Sequence, residues 1–169
     1  MNLDDFIKKV IPTKNKLFRF ALSYVKSEED AEDIVQEVMI KVWKKKESLN
    51  FYQNVEAWCM TVTKNLSLDR LKSKQFQMKS LDKSSAFNDE NPTPYHLVET
   101  DNLLNMVNLF IDNLPEKQKA VIHLRDVEGF SYQEIVDILK MDMNQVKVNL
   151  FRARKSVKQQ LLKIENYGN

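Results

Sequence analysis

Between Ser27 and Trp43 the chain reads SEEDAEDIVQEVMIKVW, and its apolar residues Ala31, Ile34, Val35, Val38, Met39, Val42 and Trp43 recur at steps of three and four. That spacing predicts an amphipathic α-helix. Ser27, three places before Asp30, marks its start at close to capping-box spacing. Each large side chain buried along such a stripe contributes roughly 1.5–3 kcal/mol, so this helix can seed a core. Upstream, Leu3, Phe6, Ile7 and Val10 share one side of a short helix over 3–10, and Pro12 restarts the chain. A second helix then runs to about Lys26 with Leu17, Phe18, Phe20, Ala21 and Tyr24 as its apolar set. Downstream, ESLNFYQ from Glu47 to Gln53 reads as a loop. Asn54 caps a further helix from Val55 to about Lys74, whose apolar positions (Val55, Trp58, Cys59, Val62, Leu66, Leu68, Leu71) form a looser stripe.

The pattern changes at Gln75. As far as about Thr100 the chain mixes Ser, Asn, Asp and Pro with scattered apolar residues and keeps no period, which predicts a flexible linker over 76–100. Beyond it, Leu103, Leu104, Met106, Val107, Leu109, Phe110 and Ile111 predict a helix ending near Asn113. Pro115 opens another, burying Ala120, Val121, Leu124 and Val127, and Gly129 ends it in a left-handed terminus. Two start signals follow, Ser131 with Glu134 and Asp142 with Gln145, which set a short helix over Phe130–Leu139 and a longer one over Met143–Leu162 around a three-residue turn. This is helix-turn-helix spacing. Ile135, Ile138 and Leu139 are expected to face Met143, Val146 and Leu150. The expected fold is therefore all-α, with two small helical domains at 1–75 and 101–169 joined by the linker, the second a helix-turn-helix domain.

Composition agrees: 43% hydrophobic and 30% charged residues suit a folded soluble chain, and only 2 Gly and 4 Pro favour helices over turn-rich sheet. The net charge of +2 conceals strong segregation. From Ser27 to Glu37 there are six acids (Glu28, Glu29, Asp30, Glu32, Asp33, Glu37) and no base. From Lys41 to Lys74 eight bases face three acids, and from Lys140 to Lys163 seven bases face Asp142 alone. One acidic and two basic blocks imply separate surfaces for a protein and a polyanion. The single Cys59 reads as a packing residue, and His96 and His123 have no partners at metal-ligand spacing, so neither metal nor cofactor is expected. No membrane span or signal-peptide core is present in the pattern, which predicts a cytoplasmic setting.

The second helix of the pair is expected to display Asn144, Gln145, Lys147, Val148, Asn149, Phe151 and Arg152. Asn and Gln pair with adenine and Lys with guanine, so Asn144, Gln145, Lys147 and Asn149 are candidates for base edges. Arg152, Arg154 and Lys155 suit phosphates. In the first half, Phe51 and Tyr52 lie in a polar loop ahead of Lys64, Asn65, Arg70 and Lys72. Aromatic faces beside cations are what single-stranded nucleic acid requires. Trp58 reads as core.

DAEDIVQEVMIKVW closely resembles the polymerase-gripping motif of bacterial sigma factors of the extracytoplasmic-function (ECF) group, and the resemblance runs from about residue 3 to residue 162, the linker excepted. It implies that Asp33, Gln36 and Glu37, with Asp30 flanking, meet core RNA polymerase. AWCMTVTKNLSLDRLK resembles the family's promoter-melting segment, with Asn65 as its pocket asparagine and Ser48, Leu49 and Asn50 as its specificity loop. LPEKQKAVIHLRDVEGFSYQEIVDILKMDMNQVKVNLFRARKSV resembles the family's domain for the minus-thirty-five promoter element. Two positions depart from the family pattern: Lys140 stands where a turn glycine is common, and Val148-Asn149 where Ser-Arg is usual. The resemblance further implies a linker threaded through the polymerase and an anti-sigma protein as partner. The expected function is promoter-directed initiation without catalysis. From the residues alone two other classes stay open, an operator-binding helix-turn-helix regulator, which leaves the acidic helix without a role, and a helical protein-interaction adaptor, which leaves the basic surfaces without one.

Overall fold

The computed structural model describes residues 1–50, 52–81 and 102–167, and those residues are helices and short connections with no strand among them. The chain divides into two compact units.

In the first unit, α1 (Leu3–Lys9) starts at Asn2, whose side chain accepts the Asp5 amide at 2.8 Å. A 3-10 turn at Ile11–Thr13 around Pro12 leads into α2 (Lys14–Val25). Lys26 takes a left-handed conformation (φ 55°) and turns the chain into α3 (Glu28–Lys44), where Ser27 Oγ accepts the Asp30 amide at 3.3 Å. Most of the predicted stripe of α3 enters the core: Ala31, Ile34, Val35, Val38 and Val42 are buried, as are Val10, Leu17, Phe20 and Ala21 of the same unit, whereas Met39 is half-buried and Trp43 is 39% exposed. Of the expected apolar side of α1, Val10 is buried, but Leu3 and Ile7 are 59% and 51% exposed. Phe6 instead meets Trp43 edge-on, ring centroids 5.5 Å apart.

Two expectations here need correction. The 47–53 stretch is not all loop: α4 (Lys46–Leu49) supplies a helical turn, and Ser48 Oγ donates to the Lys45 carbonyl at 2.9 Å. Its driving force is Leu49, 1% exposed, which anchors the turn in the core. The following helix, α5 (Val55–Leu81), does not stop near Lys74 but continues through Phe76 to Leu81, into the stretch read as linker. Lys, Gln, Met and Leu are good helix formers, which suits last turns that are exposed among the described residues. The remainder of that stretch, 82–100, lies outside the described residues, as does His96.

The buried side of α5 also differs from the apolar set. Cys59 and Met60 are buried, but so are Thr63 and Ser67, whose hydroxyls donate to the Cys59 and Thr63 carbonyls, both at 2.8 Å. Bonding back to their own helix satisfies these hydroxyls. α5 packs on both α2 and α3.

The second unit comprises α6 (Asn102–Asp112), α7 (Glu116–Ile122), a π-helical turn (His123–Val127), α8 (Tyr132–Leu139) and α9 (Met143–Tyr167). Its core is Val121, Leu124, Ile135, Ile138, Val146, Leu150 and Ala153. Val127, expected inside, is 45% exposed. The π turn inserts an extra residue per turn and rotates it off the inner face. Within that turn His123 Nε2 lies 3.2 Å from Glu128 Oε1, both residues buried. Gly129, at φ 81°, closes the segment as expected. α8 opens with a full capping box: the Glu134 amide donates to Ser131 Oγ at 3.2 Å, and the Ser131 amide to Glu134 Oε2 at 2.8 Å. Asp142 and Gln145 repeat the device at 2.8 and 3.1 Å ahead of α9.

Candidate functional site

Because the apolar stripe of α3 faces inward, its carboxylates are forced to the other side. Glu28, Glu29, Glu32, Asp33 and Glu37 are exposed there together with Gln36. Glu37 meets Lys41 at 3.4 Å, one turn on, an exposed pair of little energetic weight. Asp30 does not share this face. It is 9% exposed, and its carboxylate accepts from Arg70 Nη1 at 2.9 Å and from Lys74 Nζ. The Lys74 hydrogen bond, with the charges of Lys74 and Arg70, holds its pKa below the usual carboxylate value although burial pushes the other way. Asp30 is thus a brace between α3 and α5. Arg70 also comes within 3.9 Å of Asp33, which places it under the acidic face.

The second group gathers around α4 and the start of α5. Asn54 caps α5 by accepting the Ala57 amide at 3.0 Å. Ser48, Asn50 and Tyr52 are exposed, while Leu49 points into the core and Phe51 lies outside the described residues. Tyr52 approaches Trp58 with ring centroids 6.4 Å apart, so the indole, half-buried, supports the loop aromatic. On α5, Asn65 and Lys72 are exposed, Lys64 is buried, and Arg70 is tied to Asp30. Burial pushes the Cys59 thiol up to about 12, which makes it unreactive.

The third group lies on α9. Asn144, Gln145, Lys147, Val148, Phe151, Arg152, Arg154 and Lys155 are exposed, and Asn149 is half-buried. Gln145 is engaged in the cap, and Asn149 donates its side-chain amide to the Gln145 carbonyl at 2.8 Å. Arg154 makes a forked pair with Asp126 of the π turn, Nε to Oδ2 at 2.9 Å and Nη2 to Oδ1 at 2.6 Å. Bidentate pairing of this kind fixes orientation as well as charge. The hydrogen bond to Asp126 raises the Arg154 pKa still further. A groove beside the fork is lined by Tyr132, Lys147, Phe151, Arg154, Lys155 and Lys158. Lys74 and Asp126 are partners that sequence reasoning missed. They lie 44 and 28 residues from the groups they bind, so no local spacing announces them.

Among the described residues no cluster of His, Cys, Asp and Glu could hold a metal ion, and no helix is long and apolar enough to cross a membrane. The chain matches the family model for sigma-70 region 2 over residues 12–77 and that for sigma-70 region 4 over residues 104–157. It is 31% identical over 150 residues to the RNA polymerase sigma factor SigV of Bacillus subtilis, covering 89% of this chain and 87% of that protein. The chain belongs to the ECF group of the sigma-70 family. The ECF sigma factor SigW of Bacillus subtilis is 27% identical over 169 residues, covering 94% of this chain and 89% of that one. Among solved structures, the sigma factor RpoE from Bartonella quintana, in complex with the anti-sigma factor NepR, matches with a TM-score of 0.73 and 25% identity over 96% of this chain and 99% of that one. This sigma factor is accordingly a promoter-directing initiation factor for RNA polymerase, and the operator-binding alternative falls away.

Proposed function

We propose that the exposed face of α3 docks this sigma factor on core RNA polymerase through Asp33, Gln36 and Glu37, with Asp30 holding α5 in place behind them. The surface of α4 and α5 takes the minus-ten element: Ser48, Asn50 and Tyr52 from the loop side, Asn65 and Lys72 from the helix, and Arg70 at its edge. Leu49 and Lys64 support that surface from beneath. Phe51 belongs to the same reading. On α9, Asn144, Gln145, Lys147, Val148, Asn149 and Phe151 meet the minus-thirty-five bases, while Arg152 and Lys155 meet phosphates and Arg154 orients the helix from its fork with Asp126. The N-terminal unit is the polymerase and melting domain, the C-terminal unit reads the upstream element, and the segment between tethers them. The factor acts in the cytoplasm, catalyses no reaction, and is restrained by an anti-sigma protein, a reading supported by the likeness to a sigma factor solved with one.

The observation that carries this reading is the separation of charge: five exposed carboxylates on one side of α3, and exposed cations along α9. Phosphate neutralisation drives most of the affinity of such basic surfaces, and a carboxylate face repels DNA. Run-off transcription with purified core polymerase on genomic fragments tests it. Specific transcripts that depend on the added chain are the expected result. Tight, sequence-specific duplex binding by the chain alone, with no transcript from the mixture, overturns it.

A further inference from the structure

α1 is 7 residues long, and none of them is buried among the described residues. A helix that short is marginal in water on its own. Its contacts converge on one place, the bend between α3 and α4. Phe6 meets the Trp43 ring edge-on, with centroids 5.5 Å apart and planes at 80°. Lys46, the first residue of α4, holds its ammonium 4.0 Å from the centre of the same indole. The Lys46 carbonyl accepts from the Met1 nitrogen, in the segment leading into α1, at 3.3 Å. Phe6 and Lys46 are both half-buried there. Lys46 is therefore held twice, by its backbone against the start of the chain and by its side chain on a ring that Phe6 keeps in place.

α4 cannot set its own direction. It is a single turn of 4 residues, set off from α3 by a break at Lys45 (φ −98°, ψ 11°). Leu49 is its one buried side chain, and a single anchor leaves a turn free to swing about it. Lys46 supplies the second point of attachment. Two fixed points on one turn settle where Ser48 and Asn50 project. We infer that α1 is a brace for this turn, in which Phe6, acting through Trp43 and Lys46, orients Ser48 and Asn50 towards the bases of the minus-ten element. The inference rests on the minus-ten role proposed above for the turn. Phe6 and Trp43 are positioning residues in it and touch no base. Their contribution is precision, because a binding constellation has to be held within about 0.5 Å of its productive geometry to discriminate. An edge-to-face aromatic pair and a cation over an indole are directional contacts, suited to fixing an angle as well as a distance.

Amide hydrogen exchange on the full chain reads the turn without knowledge of any promoter. The Leu49 amide donates to the Lys45 carbonyl at 3.0 Å and the Tyr52 amide to the Leu49 carbonyl at 3.1 Å, so both report its opening. Phe6→Ala should speed their exchange by about 2- to 12-fold, the equivalent of about 0.5–1.5 kcal/mol for one edge-to-face pair, and leave the amides of α9 unchanged. Phe6→Tyr keeps the ring and should restore protection. Ile7→Ala trims an exposed neighbour on the same helix (51%) and should change nothing. In holoenzyme, run-off transcription from templates that differ at single minus-ten bases should show Phe6→Ala discriminating less among them, by up to the same factor. Its discrimination among minus-thirty-five bases and its association with core polymerase should match wild type. Unaltered exchange in Phe6→Ala overturns the inference, as does an equal effect of Ile7→Ala. Faster exchange with minus-ten discrimination intact, or with a loss of yield equal on every template, overturns it too, since a helix that merely stabilises the fold gives that result. In each of those cases wild type still distinguishes minus-ten bases. A wild type that directs transcripts yet ignores changes at those bases removes instead the base-reading role of α4, and the brace with it.

Discussion

Lys140 takes φ 55° and ψ 41° in the turn between α8 and α9, a left-handed conformation in which a side chain crowds its own backbone. The strain is about 1–2 kcal/mol, against about 0.5–1 kcal/mol that glycine loses through its greater freedom in the unfolded chain. Lys140→Gly should therefore stabilise the second unit by up to about 1.5 kcal/mol, read as a higher urea midpoint at unchanged slope. Asp30 presents the opposite case, a side chain whose partners make it indispensable. Its folded pKa lies below the ordinary value of 3.8, so its contribution is complete above about pH 4 and is lost as the pH falls through that lowered value. Asp30→Asn should cost about 2 kcal/mol near neutrality, the usual worth of hydrogen bonds to a charged group. Chemical denaturation at several pH values should show the gap between wild type and variant closing on acidification below about pH 4. A gap independent of pH would assign the loss to packing.

At the scale of elements, α3 shows how one pattern serves two purposes, since the same periodicity that buries Ile34, Val35 and Val38 leaves Asp33, Gln36 and Glu37 in solvent. Replacing Asp33 and Glu37 together by Lys should leave the helix folded and abolish co-purification with core polymerase. Unchanged co-purification would remove α3 from the interface. This helix was legible in the sequence because its burial, Asp30 apart, is apolar, as were the capping boxes of α8 and α9, which are local by construction. α5 was less so. Its inner side relies on Thr63 and Ser67, polar residues made buriable by hydroxyl bonds to their own helix, which a hydrophobic pattern does not register. Its extension to Leu81 is set by propensity without periodicity. Asp30 reads as one more member of an acidic face until the cations 40 and 44 residues away are folded against it. Interactions between distant elements of this kind decide which charges stay available to a partner.

For the whole molecule, the two proposed DNA surfaces would gain specificity when one polymerase carries both. Linkage raises the effective concentration of each for the other and increases avidity by about 10²- to 10⁴-fold. Residues 1–81 and 102–169 supplied as separate chains with core polymerase should therefore direct far less promoter-specific transcript than the intact factor. Equal run-off yields would show that one surface suffices. The two units can be followed separately in the intact protein because Cys59 is the only cysteine in the chain and sits wholly inside the first. A thiol reagent can reach this sulfur only after the first unit opens. Modification rate thus serves as a private clock for that half of the molecule, silent to events in the helix-turn-helix half, and shows whether docking on the polymerase clamps the first unit shut.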